Sequence, residues 1–343
     1  MLFKYVIIFG LIAYFVIGLL STGTWLRKKI FGQHQWTIEQ IFLNIGLGLI
    51  AFCLINYVLI LLHLFFGIVV AAIFVAYGIC SWKMRKELHH AQTTLEDIIN
   101  TITWEKVKRS PLFFVYVLLI LFSITYMYHG FLLADIPYPT AWDANHAYMY
   151  YPKIWALNSG YYWEAGLSIT PQIWFAYITY WFKFMYIFGT NTWISADNLA
   201  VIMNFLSCIF VLSFGLILVK EVLHFIHGEH SAGENMFFLV GWFLLLLWLT
   251  SGMGAFLVFV DNKTDLGIMA LTILALYSGF LFINQLAQHS QHKESMQYAV
   301  LSGVFFAAAM LAKPTATFDV INFTITLVTL WFGGVLGIGI FLA

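Results

Sequence analysis

The chain has 343 residues, of which 62% are hydrophobic and only 9% charged, whereas an ordinary soluble domain is roughly one quarter charged. Its 16 basic and 16 acidic residues balance to a formal net charge of zero, so there is no electrostatic basis for binding nucleic acid. The composition excludes a water-soluble globular domain and points to an integral membrane protein.

Apolar runs of about 20 residues recur along the chain, and a helix of that length, rising 1.5 Å per residue, crosses a hydrocarbon core of roughly 30 Å. Backbone polar groups in lipid need partners within their own segment, and the runs do not alternate apolar with polar, so helices are expected rather than barrel strands. The expected fold class is all-α: a polytopic integral membrane protein with about nine transmembrane helices and a helical extracytoplasmic loop. Spans are expected at 4–26, 39–61, 64–81, 111–131, 197–220, 236–252, 264–284, 297–312 and 318–341.

The first run lacks a small-x-small cleavage site and is followed by Arg27, Lys28 and Lys29, so it reads as a retained anchor and not a signal peptide. The stretch from Ile41 to Cys80 is too long for one span, and His63 marks the turn between two helices. Cys53, Cys80 and Cys208 all lie in apolar runs, imply no disulfide framework and leave the redox compartment open. The longest polar segment, Trp82 to Ser110, carries Lys83, Arg85, Lys86, Lys106, Lys108 and Arg109. Together with residues 27–29 it marks the cytoplasmic side, which places the N-terminus outside and delivers 132–170 to the outer face. Residues 1–110 thus form N-terminal helices and a basic loop, and 111–343 a transmembrane core with an outer loop at 132–196.

Residues 171–188, "PQIWFAYITYWFKFMYIF", either span the membrane or lie in its interface, and the count of basic residues is equally consistent with both. Short length, Trp and Tyr content and Lys183 favour an interfacial helix. That choice gathers Asp143, Asp261, Asp265 and Lys313 on one face. The last residues, "GGVLGIGIFLA", stop inside an apolar helix, so a C-terminal part is expected to be missing. Gly333, Gly334, Gly337 and Gly339 there suit close helix packing.

Polar chemistry concentrates in "TAWDANHAYMYYPKIW", residues 140–155. Thr140 can cap a short helix, which Pro152 would end while opening the next. On the first helix Asp143, His146, Ala147 and Tyr150 share a face, and Lys153 follows just past the break. Asn158, Ser159 and Gly160 make a helix stop. Thr140 and Asp143 also fit a capping box, which accounts for the aspartate as well as catalysis does. Lys313, before Pro314, suits snorkelling to the interface. Asp261 and Asp265, beside Thr264, suit helix capping, although a cavity-lining Asp265 would bind an acceptor amine or a metal. Asn262-Lys263-Thr264 matches a glycosylation sequon. His224, His227 and His230, with Glu229, have the most metal-like spacing, but Gly228 breaks the helix and a polar membrane flank explains them better. His289 and His292 make a weaker case still.

Trp142-Asp143-Ala144, Lys153 ten residues after the aspartate and then Gly160 resemble the first outer loop of polytopic glycosyltransferases with the GT-C fold. The relatives in question are bacterial lipid-linked-sugar transferases akin to protein mannosyltransferases and the aminoarabinose transferase. "DNKTDLGIMALTILALY", from Asp261, is similar to a later segment in which an acid opens a helix, and "GVFFAAAMLAKPTATF", from Gly303, to a small-residue helix ending in lysine. Many relatives carry Asp-Glu where this chain has Asp143-Ala144.

The resemblance implies transfer of a sugar from a polyprenyl-phosphate donor to a glycan, lipid or protein acceptor, with inversion at the anomeric carbon. It implies Asp143 as the base and Lys153 and Lys313 as phosphate ligands, with His146, Tyr150 and Asp265 also binding substrate. It further implies a bacterial plasma membrane with the active site on the outer face. The resemblance implies no definite cofactor and admits a divalent metal, because members of the superfamily differ in metal dependence. The alternative is a transporter or flippase for a lipid-linked or small polar substrate, yet transporters show internal repeats and midplane charges, which this chain lacks. A third reading is a membrane scaffold whose outer loop binds a partner.

Overall fold

The structure, a computed structural model, describes residues 2–32, 36–101, 112–135, 149–162, 172–189, 194–227, 234–251, 265–287 and 292–313. Regular structure among the described residues is entirely α-helical. The helices are α1 (Leu2–Phe31), α2 (Ile38–Leu61), α3 (Gly67–Lys83), α4 (Arg85–Thr101), α5 (Phe113–Ala134), α6 (Tyr150–Asn158), α7 (Ile173–Phe188), α8 (Ala196–His227), α9 (Glu234–Thr250), α10 (Asp265–Ala287) and α11 (His292–Ala312). The expected spans coincide with helices except 318–341, which lies outside the described residues, as do 136–148, 163–171 and 190–193 of the outer loop.

Six helices are long and apolar enough to cross a membrane, and α3 with the start of α4 makes a seventh if that bent pair is one span. The expected nine are thus not reached among the described residues, for identifiable reasons. The apolar part of α9 is only Met236–Thr250, and α3 turns by 69° into α4. The polar side chains of α4 give that helix no reason to continue into lipid. His63, as expected, marks the turn between α2 and α3 and adopts a left-handed backbone (φ 55°).

Polar contacts show which helix ends lie together. At one end, Asp135 after α5 accepts from Lys4 of α1 and Asn198 of α8, while Lys313 after α11 meets Asp265 at the start of α10. At the other, Lys28 of α1 meets Glu87 of α4, Gln40 of α2 meets Tyr298 of α11, and Asn284 of α10 meets Glu221 of α8. We call these the Lys153 end and the Glu87 end. Helices α1, α8 and α10 therefore run one way and α2, α5 and α11 the other. The α1–α2 pair packs backbone to backbone: a Cβ on Gly23 would lie 1.7 Å from the Asn44 carbonyl oxygen, and one on Gly48 2.0 Å from that of Leu19.

The expectation of an interfacial helix at 171–188 needs correction. Helix α7 is preceded by α6 and followed by the start of α8, both at the Lys153 end, so it leaves the bundle at the end where it enters. It does not lie among headgroups, however. Residues 173–182 are all buried, and α7 packs against α2, α3, α6, α8 and α11. Two of its aromatic polar atoms find good acceptors inside the protein, Trp174 Nε1 donating to Asn204 Oδ1 (2.9 Å) and the Tyr177 hydroxyl to the Met203 carbonyl (2.6 Å), whereas Trp181 Nε1 and the Tyr186 hydroxyl are buried without one among the described residues. Trp181 packs edge-on to Phe15 of α1, with ring centroids 5.0 Å apart. Amphipathic rings suit a headgroup belt and a core with matching acceptors equally well, and here the acceptors decide.

Candidate functional site

Ionisable groups cluster at the Lys153 end because helix termini bring them there. Lys153 lies on α6, which begins at Tyr150 and runs through Pro152 without a break, since proline is tolerated in a first helical turn. Tyr150 therefore belongs to the helix of Lys153 and not to a preceding one. It is 38% exposed. The helix stops as expected after Asn158, with Ser159 in the left-handed conformation (φ 57°). Gly160 is required by closeness instead: a Cβ there would lie 2.2 Å from Nδ1 of His63. Two backbone hydrogen bonds, Phe65 N to Ser159 O (3.0 Å) and Tyr161 N to Ile60 O (2.9 Å), lock the end of α6 to the α2–α3 turn.

Lys153 Nζ donates to both carboxylate oxygens of Asp197 at 3.1 Å, and the lysine side chain remains 42% exposed. Asp197 lies in the first turn of α8, where the helix dipole favours an anion. The next residue, Asn198, donates to Asp135 (3.2 Å), which also accepts from Lys4 (2.5 Å) and the Tyr5 hydroxyl (2.9 Å). Lys183 of α7 donates to the Ala156 carbonyl (2.7 Å) and Ser159 Oγ (2.8 Å), capping the negative end of α6. Burial pulls the Lys183 pKa below the ordinary lysine range.

Lys313 Nζ donates to Asp265 Oδ1 at 2.7 Å, and both side chains are about one quarter exposed (23% and 29%). The separate readings of snorkelling lysine and capping aspartate thus merge into one ion pair that closes α10 against α11. Helix α7 joins the starts of α8 and α10. Its Trp174 bonds Asn204 on α8 and covers Gly267 on α10, where a Cβ would lie 2.3 Å from the indole ring.

Of the expected site residues, Tyr150, Lys153, Asp265 and Lys313 are described and occupy the same end. Each lysine is held by a carboxylate, and among the described residues no hydrogen bond or ion pair links the Lys153–Asp197 pair directly to the Lys313–Asp265 pair. Asp143 and His146 lie outside the described residues, as do Asp261, the sequon, and His230 with Glu229. The described residues hold no group of three or more His, Cys, Asp or Glu arranged to bind a metal. Sequence reasoning missed Lys4, Asp135 and Asp197. Only Asp197 left a local trace, as an acid in a first helical turn after Ser195, whose Oγ accepts from Asn198 N (3.0 Å).

Chemically, the arrangement offers two lysines on one side of a helical bundle, each in a pair exposed enough for an incoming anion to exchange with the carboxylate. Fold and site together define a polytopic helical membrane protein. Comparison with family models, curated proteins and solved structures gives no match, so no family is assigned.

Proposed function

We propose that the protein is a GT-C-like glycosyltransferase that moves a sugar from a polyprenyl-phosphate donor to an acceptor hydroxyl or amine on the outer face of a membrane. The observation that carries the reading is the one-ended gathering of Lys153, Asp197, Asp265 and Lys313 at helix termini, reached from segments far apart in the chain. A donor anchored in one leaflet presents its phosphate at that depth, where lysines act as compact positive charges.

In the proposed reaction, the acceptor oxygen or nitrogen attacks C1 of the sugar opposite the phosphate, and the C1–O bond to phosphate breaks as the new bond forms. The acceptor proton passes to the Asp143 carboxylate, and the polyprenyl phosphate leaves with both electrons of the broken bond. Lys153 and Lys313 exchange their carboxylate partners for phosphate oxygens and stabilise the departing charge. Backside attack inverts the anomeric centre. Positioning supplies most of the acceleration, since the donor is already activated.

Membranes containing the parent or Asp143→Asn, incubated with labelled polyprenyl-phosphate sugar and endogenous acceptors, test the reading. Parent membranes should transfer label and the variant should not. Transfer that survives the substitution removes Asp143 as the base. Uptake of label into sealed vesicles without glycosyl transfer replaces this reading with the transporter or flippase.

A further inference from the structure

A second polar cluster lies at the Glu87 end, away from the lysines of the candidate site. Arg27 of α1 is 1% exposed, and its Nε and one terminal nitrogen, Nη1, have no hydrogen-bond acceptor. Its guanidinium carbon lies 5.9 Å from the ring centroid of Tyr298. Around it, α1, α2 and α11 contribute polar side chains that are themselves buried: Thr24, Gln40, Asn44 and Tyr298. Gln40 Nε2 donates to the Tyr298 hydroxyl (2.8 Å), which keeps its own proton for a further acceptor, and Asn44 Nδ2 donates to Thr24 Oγ1 (3.1 Å). The neighbouring Lys28 is turned away to Glu87 at 2.6 Å.

Arginine stays protonated at any pH a protein meets, and an unpaired buried charge costs several kcal/mol in protein interiors. Among the described residues no carboxylate pairs with Arg27. A water molecule would satisfy its N–H groups but leave the charge uncompensated; an anion does both. The unpartnered Gln40 Oε1 and Asn44 Oδ1 would accept from the P–OH of a hydrogen phosphate or from a water at its rim. Arg27 lies only four residues, about 6 Å of helix, before the last residue of α1, which puts the guanidinium near the end of the bundle and not in its apolar middle.

We propose that Arg27, with the Tyr298 hydroxyl, binds one phosphate group at the end of the bundle opposite Lys153, carried either by an anionic lipid headgroup or by a small soluble phosphate. The site is independent of the proposed transferase chemistry and survives its failure.

The test places the full chain in nanodiscs of three kinds: phosphatidylcholine alone, phosphatidylcholine with phosphatidylglycerol, and phosphatidylcholine with added inorganic phosphate at constant ionic strength. Thermal unfolding midpoints are compared for the parent, Arg27→Gln and Lys83→Gln, the last removing an exposed cation at the same end of the bundle. The parent midpoint should rise saturably in one anion-containing arm. Half-saturation should weaken by about tenfold or more in Arg27→Gln, as loss of a charged hydrogen bond implies, and stay unchanged in Lys83→Gln. A rise with phosphatidylglycerol alone identifies a headgroup, and a rise with phosphate identifies a soluble ligand. If Arg27→Gln does not fold, Tyr298→Phe replaces it, retaining the charge and losing the hydroxyl, and should also bind more weakly. A parent midpoint indifferent to both anions overturns the proposal. So does a rise that persists unweakened in the folded cluster variant, or one that Lys83→Gln abolishes.

Discussion

Substituting Gly23 by alanine tests the packing on which both ends of the bundle depend. The added Cβ would lie 1.7 Å from the Asn44 carbonyl oxygen, and real Cβ contacts essentially never fall under 3.0 Å, so α1 and α2 must part by about 1.3 Å. The obstructing atom is backbone, which no rotamer change can move. A radial gap of roughly 0.5–1 Å already forfeits a quarter to a half of each dispersion contact. The Thr24–Asn44 hydrogen bond, now 3.1 Å, would stretch beyond bonding distance and contribute a loss of about 1 kcal/mol. With an overpacking cost of 1–3 kcal/mol, Gly23→Ala should destabilise by about 3 kcal/mol. Gly10→Ala and Gly303→Ala are the controls, because a Cβ at either meets nothing within 4 Å. They should be neutral, or more stable by up to about 1 kcal/mol through helix propensity. The assay is unfolding in mixed micelles titrated with dodecyl sulfate and followed by tryptophan fluorescence. Gly23→Ala falling within about 0.5 kcal/mol of Gly10→Ala, the scatter of neutral surface changes, would refute the backbone contact between α1 and α2.

Two further outcomes bear on α7. In a background lacking Cys53, Cys80 and Cys208, single cysteines at Tyr162 and Phe188, both exposed, should react with an impermeant reagent from the same side of sealed vesicles; labelling from opposite sides would mean that α7 spans. Because burial lowers the Lys183 pKa, the folded chain gives up this proton at a lower pH than the unfolded chain. Between the two pKa values the unfolded state binds more protons, so this residue makes stability rise with pH through the alkaline range and contributes a constant penalty below it. Lys183→Met should remove that rise, and parallel pH profiles of the unfolding midpoint in parent and variant would disprove it.

The helices are legible in sequence because lipid forces a long apolar run to satisfy its backbone internally, and the α2–α3 turn because His63 interrupts such a run. Helix α7 is legible only in part. That both its flanks share one end follows from its length and Lys183, but its burial does not, since Trp and Tyr serve belt and core alike. The deciding acceptors, Asn204 Oδ1 and the Met203 carbonyl, lie 30 and 26 residues from their donors. At the candidate site the residue types are legible and their pairing is not. Lys313 and Asp265 read separately as a snorkelling cation and a helix cap, and only tertiary structure brings them to 2.7 Å across 48 residues. Lys4 and Asp135 have no motif at all, and Asp197 shows only as an acid in a first helical turn, because an ion pair between helix ends leaves no periodicity within either helix.

One physical rule nevertheless connects these findings. A charge near lipid is costly until it is compensated, so each partly buried cation implies a partner that sequence spacing cannot name. Lys4, Lys28, Lys153 and Lys313 each find a carboxylate, and Lys183 finds the negative end of α6. Arg27 is more deeply buried than any of these and, among the described residues, meets only a tyrosine ring and hydroxyl. The same rule that accounts for the paired lysines therefore requires a counter-charge at Arg27, and the nanodisc experiment distinguishes one that arrives from outside the chain from one supplied within it.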